Sequence, residues 1–180
     1  MKRRIFVITG PESTGKTTLA ADLSVYFQGT WIPEYARKYV ENLNKPYTYD
    51  DVERITKHQI GVIHEHEKAG TGNMLFLDTD LIILKVWFGE VYSRVPEWLE
   101  GEILRRPVSG YLLCATDLPW LPDPVRENPG NKREALFRIY QEELQNYGFP
   151  YRVVHGRGKE RIRRAIVFIR EMLKENTSEL

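Results

Sequence analysis

Residues 5–18 read IFVITGPESTGKTT. The run from Ile5 to Thr9 is apolar and short, which predicts a buried strand. The next eight residues match G-x-x-x-x-G-K-[ST] without a mismatch, and a helical pattern follows them; they are Gly10-Pro11-Glu12-Ser13-Thr14-Gly15-Lys16-Thr17. Glycines let such a loop point successive backbone N–H groups at phosphate oxygens, next to the positive end of a helix. We therefore expect a phosphate-binding loop, called the P-loop below (residues 10–17), in an α/β fold.

The P-loop predicts how a nucleoside triphosphate is held. We expect the Lys16 ammonium to contact the β- and γ-phosphates and the Thr17 hydroxyl to ligate Mg²⁺. Backbone and side-chain groups of the loop and of the residue after it should bind the rest of the polyphosphate. The predicted donor-binding residues are Gly10, Glu12, Ser13, Thr14, Gly15, Lys16, Thr17 and Thr18.

Four further apolar runs predict the other strands. Met74–Asp78 and 111–115 are continuous runs, as expected of strands covered on both faces. Residues 30–33 and Tyr151–Val154 are weaker runs that contain a proline and an arginine, which suits the edges of a sheet. Helical patterns separate the runs. This alternation predicts a parallel five-stranded sheet with helices on both faces and right-handed crossovers.

The last helical pattern is the clearest. Its apolar positions between Ile162 and Leu173 recur at the helical period. Four arginines are assigned to the opposite, solvent-exposed face: Arg161, Arg163, Arg164 and Arg170.

Three acids follow predicted strands. Asp78 ends an apolar run, Asp80 comes two residues later, and Glu34 follows residues 30–33. Because the carboxyl ends of parallel strands meet at one edge, these acids should lie beside the P-loop. We expect Asp78 to hold Mg²⁺ together with Thr17, and either Glu34 or Asp80 to bind the acceptor and take its hydroxyl proton. Arg37 should contact the substrate. The alternatives are a helix cap for Asp80 and a local ion pair of Glu34 with Arg37.

Residues 117–132 contain four prolines and no periodicity. A loop of this length in a small domain is usually functional, and we predict that this lid segment covers the site. Arg126 is expected to lie over the transferring phosphoryl group, unless it is simply exposed to solvent. Trp120 is predicted to stack on a substrate ring or to anchor the lid segment. Asp123 is predicted to contact the substrate.

Composition narrows the class of protein. A length of 180 residues predicts one domain, 1–180. Because Lys+Arg 26 and Asp+Glu 25 nearly balance, a general nucleic-acid binder is disfavoured. The single cysteine excludes a disulfide framework and a cysteine-rich zinc module. The apolar run after Met1 stops at Gly10, too early for a signal peptide, and nothing approaches a membrane span. We expect a soluble, cytoplasmic protein.

Beyond these patterns, the sequence resembles a known family, the ribosylnicotinamide kinase domain of bacterial NadR-type proteins. The resemblance spans nearly the whole chain. The order and spacing of several segments carry it, rather than the P-loop alone. Besides the P-loop variant, they are Pro33-Glu34-Tyr35-Ala36-Arg37, Asp78-Thr79-Asp80 and Tyr111-Leu112-Leu113-Cys114 followed by Asp117-Leu118-Pro119-Trp120.

The resemblance implies a P-loop nucleoside-kinase fold and an activity. The activity is the phosphorylation of nicotinamide riboside to nicotinamide mononucleotide by ATP with Mg²⁺. The chain lacks an H-x-G-H signature and room for a helix-turn-helix, so neither adenylyl transfer nor DNA binding is expected. Where the family's lid more often has Asp-Gly-Leu-Arg, this chain has Asp123-Pro124-Val125-Arg126.

Two other functions remain open. One is a kinase for another nucleoside or nucleotide, and the other is an ATP-binding regulatory module. A GTPase is disfavoured because no N-K-x-D motif follows the run at 111–115, and an AAA+ assembly is disfavoured by the chain length. A lid segment with aromatic, acidic and arginine side chains favours a kinase.

Overall fold

Five parallel strands form one sheet. The structure, a computed structural model, describes residues 3–69 and 74–175. Within these ranges the strands pair in the order β2-β3-β1-β4-β5. The predicted five-stranded parallel sheet and both of its predicted edges are confirmed. The strand bounds are β1 (Arg4–Thr9), β2 (Thr30–Ile32), β3 (Met74–Asp78), β4 (Gly110–Cys114) and β5 (Tyr151–Val154).

Helices cover both faces of the sheet, as the sequence predicts. In the described ranges no helix is both long enough and apolar enough to span a membrane. The helix bounds are α1 (Lys16–Tyr26), α2 (Tyr35–Glu41), α3 (Tyr49–Ala69), α4 (Leu81–Tyr92), α5 (Glu97–Arg105), α6 (Asn131–Asn146) and α7 (Gly158–Glu175).

Two apolar cores hold the layers together. Successive side chains of β1 alternate between them, because neighbouring residues of a strand point to opposite faces. Phe6 and Ile8 pack in the core that includes buried residues of α1 and α7. Ile5 and Val7 pack in the larger core, which includes buried residues of α2 to α6. The central strand is thus buried on both faces.

The register of β1 fixes where the site forms. Ile8 lies opposite Asp78 of β3 and Leu112 of β4, so three strands end at nearly the same level. Gly10 follows β1 with φ of +133°, and a Cβ there would lie 2.9 Å from the Cys114 carbonyl oxygen. Only glycine lets the chain turn this closely over the end of β4. The P-loop therefore starts directly above the central strands.

The prediction of an exposed arginine face on α7 is wrong at one position. Arg163, Arg164 and Arg170 are exposed, but Arg161 is only 4% exposed. Arg161 precedes Ala165, Ile169 and Met172 at helical spacing, so it lies on the buried stripe. It is buried because backbone carbonyls and one carboxylate at the end of the sheet accept its hydrogen bonds.

Candidate active site

A cavity of about 400 Å³ opens at the carboxyl edge of the sheet. The P-loop forms one side of it, and residues of α2, α4, the lid segment and α6 form the other sides. All of the predicted donor-binding residues line this cavity: Gly10, Glu12, Ser13, Thr14, Gly15, Lys16, Thr17 and Thr18. Their role in nucleotide binding stays a prediction, and the geometry of the loop supports it.

The backbone of the P-loop curls around the start of α1. Ser13 and Gly15 have positive φ values, +58° and +75°. The Thr14 hydroxyl donates to the Pro11 carbonyl at 2.7 Å, and the Lys16 ammonium donates to the same oxygen at 3.0 Å. Because α1 begins at Lys16, its free N–H groups and the positive end of its dipole face the loop. This arrangement suits a polyphosphate.

Asp78 lies beneath the P-loop at the end of β3. It is 1% exposed, and within the described ranges both carboxylate oxygens lack a hydrogen bond of ordinary length. Burial raises the pKa of this carboxyl, and the nearby Thr17 hydroxyl and Lys16 ammonium partly lower it again. Buried carboxylate oxygens beside a hydroxyl are the hard oxygen ligands that Mg²⁺ takes. The residues predicted to hold the metal, Asp78 and Thr17, therefore fit it. Thr17 lines the cavity, whereas Asp78 is not among its lining residues and lies beside Thr17 and Lys16.

Glu34 lines the cavity between β2 and α2, where it is half-buried. Burial raises the pKa of its carboxyl, the charge of Lys16 lowers it, and the charge of Asp78 raises it further. Glu34, Lys16 and Asp78 thus form one electrostatic cluster. A cavity carboxyl with a raised pKa can accept a proton from a bound hydroxyl near neutral pH.

Asp80 is not brought into the cavity, contrary to its predicted contact with an acceptor. It is 1% exposed and caps α4 by accepting from the Ile82 N–H at 3.0 Å. Its other oxygen accepts from the Tyr111 hydroxyl at 2.9 Å and lies 3.7 Å from the Arg106 guanidinium. The alternative role, a helix cap, is what the structure shows. Of the two predicted bases, only Glu34 faces the cavity.

The lid segment is tied to the P-loop and to α2. The Trp120 indole donates to Glu12 at 3.1 Å, and Asp123 pairs with Arg37 at 3.0 Å. Neither Trp120 nor Asp123 lines the cavity, so their predicted contacts with a substrate are not supported. Trp120 instead anchors the loop, its alternative role. Arg37 does line the cavity, and its contact with a substrate stays a prediction.

Arg126 also lines the cavity. Its guanidinium donates to the Leu121 carbonyl at 2.7 Å and lies 3.9 Å from Asp123. These contacts hold a cation at the cavity, and the predicted role over a phosphoryl group stays a prediction.

Three aromatic residues that line the cavity were missed from the sequence; we call Tyr47, Trp87 and Tyr140 the aromatic wall. The rings of Tyr47 and Trp87 meet edge to face with centroids 5.0 Å apart. Trp87 belongs to a largely apolar helix, α4, so the sequence does not distinguish it from a core residue. The available signal was Glu90, one turn further on, because a charged residue beside a core face indicates an open side. Glu90 pairs with Lys132 of α6.

Arg161 holds the end of β4 and the P-loop together, and replacing it should destabilise the fold. It donates to the Asp117 carboxylate at 2.9 Å, to the Gly156 carbonyl at 2.8 Å and to the Thr14 carbonyl at 2.9 Å. We expect Arg161→Met to lower the free energy of unfolding by about 3 kcal/mol, because it removes the cation that pairs with Asp117 and the donor to the Thr14 and Gly156 carbonyls. Urea unfolding measures this.

The matched control for that experiment is Arg163→Met, an exposed arginine on the same helix. It should change the free energy of unfolding by no more than about 0.5 kcal/mol. Equal stabilities of the two variants would show that the buried contacts of Arg161 contribute nothing.

Comparison with known proteins is consistent with this geometry. The family described as AAA domain matches residues 5–161. The "Trifunctional NAD biosynthesis/regulator protein NadR" of Escherichia coli strain K12 is 25% identical over 178 residues, which is 96% of this chain and 43% of that protein. The predicted resemblance to NadR is confirmed. The chain spans less than half the length of this relative.

Solved structures show the same fold. A crystal structure of NadR in complex with NR has a TM-score of 0.79 at 22% identity, and covers 95% of this chain and 52% of its own. A NadR structure with NAD and AMP-PNP has a TM-score of 0.76 at 22% identity, over 95% of this chain and 50% of its own. The deoxyadenosine kinase of M. mycoides has a TM-score of 0.63 at 15% identity, over 93% of this chain and 99% of its own. The predicted nucleoside-kinase-like fold is confirmed.

Proposed function

Because the chain belongs to the AAA domain family, we propose that its P-loop binds ATP and that the protein phosphorylates a nucleoside, nicotinamide riboside, to nicotinamide mononucleotide. One observation carries this proposal. A single cavity connects the P-loop to a carboxylate, Glu34, and to the aromatic wall. A donor site and an acceptor site in one cavity are what phosphoryl transfer requires, whereas a regulatory ATPase needs only the first.

The donor side of the cavity would hold ATP. The P-loop N–H groups and the Lys16 ammonium offset the charge of the polyphosphate, which is the main contribution a protein makes to this reaction. Asp78 and Thr17 would hold Mg²⁺, which neutralises charge on the phosphate oxygens when it is bound.

The acceptor side would hold the ribose. Glu34, which lines the cavity, would accept the proton of the attacking hydroxyl, while the hydroxyl oxygen bonds to the γ-phosphorus and the bond to ADP breaks. Arg37 lines the same cavity, and Asp123 and Glu41 hold its guanidinium at 3.0 Å and 3.1 Å. Arg126 adds a second cation from the lid segment.

The aromatic wall favours an acceptor with a cationic ring. A pyridinium is attracted to the faces of tryptophan and tyrosine, by about 0.5 to 2 kcal/mol. The wall lies near two carboxylates, since Glu127 accepts from the Tyr47 hydroxyl at 2.9 Å and Glu90 lines the cavity. The solved NadR complex with NR supports the same choice of acceptor. Nicotinamide riboside carries such a ring.

A competition assay tests the acceptor. With ATP as donor and equal concentrations of nicotinamide riboside, uridine, cytidine, adenosine and thymidine, we expect nicotinamide riboside to give the highest kcat/KM. The physical reason is the attraction between its cationic ring and the aromatic wall, which uncharged bases lack. If an uncharged nucleoside is preferred, the assignment of nicotinamide riboside as the acceptor is wrong, whereas the proposal of a kinase still stands.

A nucleoside monophosphate is the second candidate acceptor. Arg37 and Arg126 both line the cavity, and guanidinium groups bind phosphate in bidentate geometry. However, Arg37 already binds two carboxylates, which weakens this alternative. Adding deoxyadenosine monophosphate and thymidine monophosphate to the competition assay tests it directly.

A further inference from the structure

Two buried arginines lie behind the P-loop and bind consecutive carbonyl groups of it. Arg133, in the first turn of α6, donates to the Ser13 carbonyl at 2.9 Å. Arg161 of α7 donates to the Thr14 carbonyl at 2.9 Å. Both side chains come from helices that are far from the P-loop in sequence. They are 5% and 4% exposed.

These contacts fix the orientation of two peptide groups. In a phosphate-binding loop the N–H groups must point towards the ligand, so the carbonyls must point away and find other donors. Ser13 also has a positive φ of +58°, which is uncommon for a residue with a side chain and persists only when its surroundings hold it. Arg133 supplies a charged hydrogen bond at this strained residue.

Arg133 differs from Arg161 in how its charge is balanced. Arg161 pairs with the Asp117 carboxylate at 2.9 Å. For Arg133, no carboxylate in residues 3–69 and 74–175 lies within 4.0 Å of the guanidinium. Its other bond goes to a carbonyl, that of Leu118 at 2.8 Å, and its Nε has no hydrogen-bond partner in the same ranges. Glu134, Glu12 and Asp117 act on it only from a longer distance.

A buried cation without a close anion is unfavourable unless something compensates for it. Burial lowers the pKa of Arg133, the charges of Glu134, Glu12 and Asp117 raise it, and the neighbouring Arg161 charge lowers it. The guanidinium contacts the backbone of the P-loop at the Ser13 carbonyl. A bound polyphosphate would bring several negative charges there.

We propose that Arg133 is a positioning residue for the nucleotide, which holds the Ser13 peptide in its phosphate-binding orientation and whose buried charge is balanced by the polyphosphate. This inference rests on the proposed function, because it assumes that the P-loop binds ATP. Arg133 does not line the cavity, so it acts through the loop and through its charge rather than by contact.

Nucleotide binding to Arg133→Met tests the proposal. With Mg²⁺ present, we expect the Kd for ATP to rise on the order of tenfold, because the variant loses a charged hydrogen bond to the loop and a positive charge close to the polyphosphate. The increase in Kd caused by the substitution should be largest for ATP, smaller for ADP and smallest for AMP, because the phosphate charge decreases in that order. The KM for the acceptor should change less than the KM for ATP. The control is Arg138→Met, an exposed arginine on the same helix.

A purely structural role gives a different result. It predicts a lower free energy of unfolding together with similar losses of binding affinity for ATP, ADP and AMP. That pattern would overturn the proposal. An ATP Kd within twofold of wild type would overturn it too. If Arg133→Met does not fold, Arg133→Lys is used in its place. Lysine keeps the charge but lacks the planar guanidinium group, so the Kd for ATP should rise on the order of threefold. An unchanged Kd for ATP in this variant would overturn the proposal. If wild type itself does not bind ATP, the proposed function fails.

Discussion

Lys16→Ala is expected to lower kcat/KM for phosphoryl transfer on the order of 10³-fold, or about 4 kcal/mol. Lys16 lines the cavity at the start of α1, where its charge offsets the charge that develops on the β- and γ-phosphates. Among the described residues its hydrogen bond is to the Pro11 carbonyl of the same loop. Because that contact is local, the free energy of unfolding should change by no more than about 1 kcal/mol.

Steady-state kinetics with ATP and the preferred acceptor, combined with urea unfolding, measure both quantities. Lys38→Ala is the matched control, since Lys38 is an exposed lysine on α2 that does not line the cavity. It should retain wild-type kcat/KM. A folded Lys16→Ala protein with nearly normal turnover would contradict the assignment of the P-loop.

Most of the fold was predictable because its signals are local. One short segment, residues 5–18, specifies a strand, a glycine-rich loop and the start of a helix. The proline and arginine in the weaker runs correctly indicated the edge strands. The prediction for Arg161 is wrong because it follows the charge of the side chain rather than its position in the helical repeat. Its spacing to Ala165 and Ile169 places it on the buried face, and partners distant in sequence stabilise it there.

The site was predictable only where chain position determines side-chain direction. Lys16 and Thr17 begin the helix after the P-loop, Glu34 comes just after β2, and the structure places the three residues at one cavity. Asp80 could not be assigned from position alone, because its direction depends on Arg106 and Tyr111, which come from other parts of the chain. The aromatic wall likewise depends on residues from different parts of the chain. It forms where a linker, α4 and α6 converge, and no local pattern encodes that convergence.

Glu34→Gln should lower kcat at saturating ATP by about 10²- to 10⁴-fold, because the amide cannot accept the proton of the acceptor hydroxyl. The pH dependence follows from the direction of the pKa shift. Burial raises the pKa of Glu34, so the wild-type rate should fall as the pH decreases towards that raised value, where the carboxyl becomes protonated and inactive as a base. The Gln variant should lose this acidic limb.

Asp80→Asn gives the comparison that decides between the two predicted bases. Asp80 is buried against Arg106 and Tyr111, so losing its charge leaves a buried guanidinium without its carboxylate partner. We expect a loss of stability of about 3 kcal/mol in urea unfolding, with an acidic limb of the pH profile like that of wild type. If Asp80→Asn instead removed the limb and Glu34→Gln kept it, Asp80 would be the base, and α4 would have to move its first turn into the cavity during turnover.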